Sequence, residues 1–281
     1  MRYCYSGHES FPCRSLWLKK GYDFARANKD FNDSNAVVDL GVGKNMVSSI
    51  RYWLKSFGLY DGNGLTPLAH YIFDTKSGKD PFIEDLGTLW LLHYLLVSTR
   101  EATLYYLTFA KFQRERKQFE RSHLINYVKR YMTEVGRQKM YNENTTKKDV
   151  GVLLLNYVLP KDSTSSEDYS SLLIDLDLIH VTSTRSYYFN TEGKRAVIPE
   201  IFLYAIVDRK QGELSVSYDM LQDIGLIFCM SDMEVIDMLK KLSVMCPKVH
   251  YSDVAGVRQL QFTEDITTHQ VLESYYSHAK V

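Results

Sequence analysis

Residues Gly41 to Leu59 leave this chain few ways to fold. Met46, Val47, Ile50, Trp53, Leu54 and Phe57 recur at helical spacing and form one apolar stripe. Lys44, Asn45, Ser48, Arg51, Tyr52 and Lys55 take the other side, and no acid occurs from Leu40 to Tyr60. A recognition helix needs this division, with one face packed and the other offering donors to phosphates and base edges. Gly58 ends the helix as a C-cap. Leu59-Tyr60, the turn Asp61-Gly62-Asn63-Gly64 and Leu65 read as a short hairpin, and Thr66-Pro67 restarts a helix as N-cap and first residue. Asp33-Ser34-Asn35 caps a preceding helix, Ala36 to Leu40. The expected motif is a winged helix-turn-helix. Such modules also bind proteins, and a basic amphipathic helix is often only solvated; the missing acids favour DNA. Gly41-Val42-Gly43-Lys44 is not a P-loop, because Val38 and Asn45 stand where that motif needs Gly and Ser/Thr.

The 281 residues have zero net charge, so bulk electrostatics selects no partner. The charge is unevenly spread. Lys111 to Lys148 holds eleven Lys or Arg against four acids, and Asp162 to the end holds ten against eighteen. Cys4, Cys13, Cys229 and Cys246 are scattered, which points to reduced thiols in a cytoplasmic protein rather than a zinc site. The N-terminus does not read as a signal peptide, and the apolar run Leu89–Val97 suits a buried helix rather than a membrane span.

The expected fold class is mainly α (α+β), in four parts: an arm and winged helix over 1–85, a helical layer over 86–140, and winged-helix-like modules over 141–199 and 200–281. Asp85 is expected to cap the apolar helix, and Thr99 a helix over Arg100–Phe112 with Tyr105, Tyr106, Phe109 and Phe112 on one side. Ser122 to Val135 reads as amphipathic. In the third part Thr146 opens a helix, Ser165–Asp168 starts another, and Val181–Asn190 forms a hairpin. In the fourth, helices Tyr218–Phe228 and Asp232–Leu242 precede two strands. These later, acidic modules offer a scaffold or a homodimer surface.

His8, Glu9, Ser10, Arg14, Lys19 and Lys20 crowd the N-terminus. Two readings stand: a phosphate- or metal-handling corner, or a polar arm with local hydrogen bonds. Asp74-x-Lys76 resembles half of a nuclease carboxylate–lysine pair, although it follows a helix where such pairs sit on strands.

The motifs Ser6-Gly7-His8-Glu9-Ser10-Phe11-Pro12-x-Arg14, Trp17–Gly21, Leu40–Val47, Leu65–Leu68, Asp80-Pro81-x-x-Glu84-Asp85 and Thr88–His93 resemble the signature of a bacterial domain-of-unknown-function family. Its members are associated with DNA phosphorothioation gene clusters of the Ssp type and are similar to SspB. The resemblance implies a DNA nicking endonuclease of an anti-phage defence system, opening one strand for sulfur modification. It also implies partners: double-stranded DNA, a cysteine desulfurase, an ATPase and an ATP-pyrophosphatase-like enzyme, with the protein at the nucleoid. The family supplies no catalytic assignment. For a Mg2+- or Mn2+-dependent nick, with no organic cofactor, His8 and Glu9 are the expected metal and catalytic pair. Lys19 or Lys20 would clamp the phosphate, and Asp74 and Lys76 come second. Arg14, Lys20, Lys44, Asn45, Ser48, Arg51, Tyr52 and Lys55 are the expected DNA contacts. The rival readings are a non-catalytic specificity subunit and a transcriptional regulator of the cluster.

Overall fold

The computed structural model describes residues 4, 6–159, 171–182, 186–254 and 256–278. The chain divides into two compact units, Met1–Asn190 and Thr191–Val281. The described residues are mostly helical with two small antiparallel sheets, an α+β class.

In the first unit, α1 (Trp17–Arg26) packs on α3 (Lys44–Ser56), and α2 (Ala36–Leu40) precedes α3 through a turn at Gly41. Gly41 has φ 62°, the left-handed conformation that ends a helix most cheaply in glycine. Gly21 sets the closeness of α1 to α3. A Cβ there would stand 2.7 Å from Ile50 Cγ2 and from Leu54 Cδ1.

Gly58 (φ 68°) closes α3, and a single antiparallel bridge, Tyr60–Leu65, forms the hairpin. Asp61 Oδ1 accepts from the amides of Asn63 and Gly64 and fixes its turn. Thr66 caps α4 (Pro67–Phe73) by accepting from the Ala69 amide (3.3 Å).

Helix α5 (Leu86–Ser98) is apolar all round and buried from Gly87 to Val97. Asp85 caps it as expected, accepting from the Thr88 amide at 3.0 Å. Asp85→Ala is expected to cost about 1 kcal/mol in a denaturant titration, the usual worth of such a cap. A cost near zero would show that the cap is redundant. Thr99 does not start the next helix. It ends α5 and donates its hydroxyl to the Ser56 carbonyl (2.8 Å).

The next helix starts one turn later as α6 (Thr103–Leu107), passes through a π-turn at Thr108–Phe112 and finishes as α7 (Gln113–Glu115). Tyr105, Phe109 and Phe112 are buried, whereas Tyr106 lies half-exposed under Arg100 (4.4 Å).

Strand β1 (Gln118–Phe119) leads to α8 (Arg121–Glu134) and α9 (Glu143–Tyr157), then to β2 (Ile179–Val181) and β3 (Tyr187–Phe189). Helix α9 begins before Thr146, because Asn142 supplies the cap to the Thr145 amide (2.9 Å). The helix expected from Ser165 begins outside the described residues, and 174–176 is a 3-10 turn.

The second unit runs α10 (Pro199–Lys210), β4 (Ser215–Ser217), α11 (Tyr218–Ile227), α12 (Asp232–Met245), β5 (Val249–Val254), β6 (Val257–Phe262) and α13 (Thr268–His278). Both sheets follow one plan: a strand, two helices and a hairpin, with the last strand in the middle. Their orders are β1-β3-β2 and β4-β6-β5. Among the described residues no helix is long and apolar enough to cross a membrane.

Candidate nucleic-acid interface

Helix α3 buries Val47, Ser49, Ile50, Trp53 and Leu54, and leaves Lys44, Asn45 and Ser48 exposed, with Arg51 and Lys55 half-exposed. Positions 44, 48, 51 and 55 follow one another at helical spacing and share a face. Among the described residues, no hydrogen bond or ion pair holds the side chains of Lys44, Asn45, Ser48 or Lys55. No side chain caps the start of α3, and its first turn contains no acid. Uncapped amides beside Lys44 suit a phosphate oxygen, because the helix dipole and the ammonium act in the same sense.

Arg51 is partly spoken for. Its Nη1 donates to Asn32 Oδ1 (2.9 Å), and its buried Nε has no hydrogen-bond partner among the described residues. Tyr52 leans off the open face. Its ring centroid lies 5.8 Å from that of His8, and burial pushes its phenol above the ordinary pKa. Lys20 is exposed, and its ammonium lies 3.4 Å from the Leu40 carbonyl, beside the turn into α3. Arg14 is half-buried over the Trp17 ring (5.5 Å).

The N-terminal motif turns out to be a strap across the inner side of α3. Ser6, Gly7, Glu9 and Ser10 all have positive φ, so the backbone coils around His8. His8 is 4% exposed. Its Nε2 lies 2.9 Å from Asp149 Oδ1, and its Nδ1 accepts from the Ser10 amide at 3.1 Å. That pattern places the ring proton on Nε2, donated to the carboxylate. Asp149 Oδ2 also accepts from the Ser6 amide (3.1 Å).

Helix α3 grips the same strap. Ser49 Oγ donates to the His8 carbonyl (2.9 Å), and Trp53 Nε1 donates to the Phe11 carbonyl (3.2 Å). The Cys13 amide then donates to Asn156 Oδ1 on α9 (3.0 Å). Gly7 is obligatory here, with φ 111° and a Cβ position only 2.6 Å from Tyr52 Cδ2.

The expected catalytic residues do not form one centre. His8 has both ring nitrogens engaged inside the strap, while Glu9 points to solvent. Lys19 is buried and donates to Asp23 Oδ1 (2.6 Å) and to the Thr75 hydroxyl (3.2 Å). Asp74 Oδ1 accepts from the amides of Lys76 and Ser77, and its Oδ2 pairs with Arg26. Lys76 is exposed. Among the described residues, no three His, Cys, Asp or Glu side chains gather as a metal-binding group. His8 and Glu9 therefore do not fit a Mg2+ or Mn2+ centre as they stand.

The hydrogen bonds from Ser77 and Lys76, reinforced by Arg26, hold the Asp74 carboxyl at a pKa of about 2, below the ordinary aspartate value of 3.8. Asp74 thus works as a turn anchor that stays ionised. A depressed pKa gives stability that is complete above 3.8 and lost as pH falls through about 2. In thermal melts, Asp74→Asn should fall short of wild type at neutral pH, with the gap closing through that window. A gap that persists at the acid end would overturn this assignment.

Sequence reasoning missed Ser49, Asp149 and Asn156. A signal existed for two of them, since Asp149 and Asn156 lie within the stripe Thr146, Val150, Leu153 and Tyr157 that α9 buries. A polar residue on a buried stripe requires a partner.

The sequence model of a family described as protein of unknown function (DUF4007) matches residues 5–276. Two solved structures are similar over 99% of this chain and 89% of their own, each at 25% identity. One is of SspB, with a TM-score of 0.85, and the other is of magnesium ion-bound SspB, with a TM-score of 0.86. No curated protein matches.

Proposed function

Because this chain belongs to the DUF4007 family of proteins of unknown function, we propose that it is a duplex-DNA-binding protein of a bacterial phosphorothioation and anti-phage defence system. In this reading α2, the Gly41 turn, α3 and the Tyr60–Leu65 hairpin act as a winged helix-turn-helix, with α3 lying in the major groove. The observation that carries it is the open face of α3: Lys44, Asn45, Ser48 and Lys55 reach solvent with no side-chain hydrogen bond or ion pair among the described residues. Lys20, at the turn, extends the cationic edge. The strap from Ser6 to Cys13 braces the opposite side and holds that face in one orientation. Similarity to the SspB structures supports the phosphorothioation setting.

The direct test is fluorescence anisotropy of labelled duplexes across a salt series. Binding that weakens linearly in log–log form supports the reading. No binding by the wild-type protein at low salt removes it.

A second reading, a divalent-metal-dependent nick, is favoured by the magnesium ion on one similar SspB structure. The test is conversion of supercoiled plasmid to relaxed circles with Mg2+ or Mn2+. Glu9→Ala and Lys76→Ala are the informative variants, because both side chains are exposed. His8→Ala would dismantle the strap and confuse folding with chemistry. No relaxation with intact binding would leave a specificity subunit or a regulator of the cluster, and a footprint confined to the cluster promoter would single out the regulator.

A further inference from the structure

Helix α12 in the second unit carries an outward stripe that its own unit does not use. Its inner residues Val235, Leu239 and Leu242 are buried. Facing out are Met233 (65% exposed) and Val244 (85% exposed), with Asp237 and Lys240 between them. The spacing 233, 237, 240, 244 is four, three, four. It is the a/d repeat of a two-helix seam, and all four residues lie within a narrow arc of the helix. Among the described residues Asp237 and Lys240 form an ion pair only with each other, across 3.9 Å, with both side chains more than half exposed.

The stripe is its own complement when read backwards. If a second α12 lies antiparallel across a two-fold axis between Met238 and Leu239, Met233 meets Val244 of the other copy. Asp237 then meets Lys240, and Lys240 meets Asp237. Antiparallel seams pair a with d in this way, and a two-fold interface requires each residue's partner to be reciprocated. A parallel pairing would set Asp237 against Asp237 and Lys240 against Lys240. The same helix position carries open cations and amides in α3; in α12 it opens with Asp232 and Met233. That start is unfavourable to phosphate.

We propose that the exposed Met233–Asp237–Lys240–Val244 stripe of α12 is a self-association surface, forming an antiparallel two-fold dimer of this chain. The inference is independent of DNA binding. One helix pair buries less than the roughly 1,200 Å2 of stable complexes, so the dimer is weak and exchanging.

The test is sedimentation velocity of the full chain over a concentration series reaching about 1 mM, the weakest dissociation constant such an interface needs. Wild type should pass from monomer to dimer within it. Asp237→Lys places Lys against Lys and should weaken association at least tenfold, whereas the double reversal Asp237→Lys/Lys240→Asp should restore it. All three proteins should melt alike, since these side chains are exposed. Orientation is read by oxidative cross-linking. A mixture of Met233→Cys and Val244→Cys proteins should link across types, and neither should link efficiently to itself. A wild type that stays monomeric throughout, a charge reversal without effect, or self-linked Met233→Cys would each overturn the proposal.

Discussion

Replacing Asp149 by alanine is expected to cost about 2–6 kcal/mol of the first unit's stability, at about 1–3 kcal/mol for each of the two buried donors it strands. Asp149 and His8 are each 5% exposed in their side chains. The carboxylate accepts from His8 Nε2 and from the Ser6 amide, and alanine would strand both donors away from water. The loss should spread, because the strap also carries the carbonyls that Ser49 and Trp53 donate to. Asp149→Asn keeps an acceptor for one of the two donors and gives up the charge assistance, so about 1–3 kcal/mol is expected. Urea titrations of wild type and both variants check the order. If alanine and asparagine cost the same, below about 1 kcal/mol, the strap is not held by this residue.

That contact also marks where the sequence stops being readable. Local chemistry was legible. Thr66-Pro67 and Asp85 announce helix starts through side-chain oxygens that reach an amide three residues on. The α3 stripe announces its buried face through spacing alone, and Val47, Ile50, Trp53 and Leu54 are buried as read. The hairpin of β5 and β6 and the two helices before it follow the same local logic.

Long-range pairing was not legible in that way. His8 and Asp149 are 141 residues apart, and nothing in the spacing around His8 tells a buried clip from a ligand. Tyr52 fell on the outer half of the helical wheel, yet the strap covers it, because the wheel cannot know what lies over its edge. Thr99 has the composition of an N-cap, but its hydroxyl is taken by Ser56, so the next helix starts later. Strand β1 is two residues long and exists only because β3 pairs with it.

On the open face of α3, two kinds of variant should separate positioning from reading. Asn45→Ala is expected to cost about 1–3 kcal/mol on the preferred duplex and little on unrelated sequence, as the loss of a bidentate base contact does. The side chain is exposed at the start of α3 with no internal partner among the described residues, so the folded state should not change.

Lys44→Ala/Lys55→Ala should weaken every duplex alike and flatten the log–log salt slope by about 1.8, two phosphate contacts at about 0.9 each. Lys55 stands at the far end of the face, with its ammonium over the Asp61–Gly64 turn, so the pair samples both ends of the helix. Arg51→Ala is a poorer probe, because it also breaks the bond to Asn32. The measurement is anisotropy with cognate and scrambled duplexes at several salt concentrations. If Asn45→Ala and the double lysine variant both bind as wild type at every salt, α3 lies away from the duplex and the winged-helix reading of this face fails. If the salt slope flattens while sequence preference persists in Asn45→Ala, α3 rides the backbone and another element reads the bases.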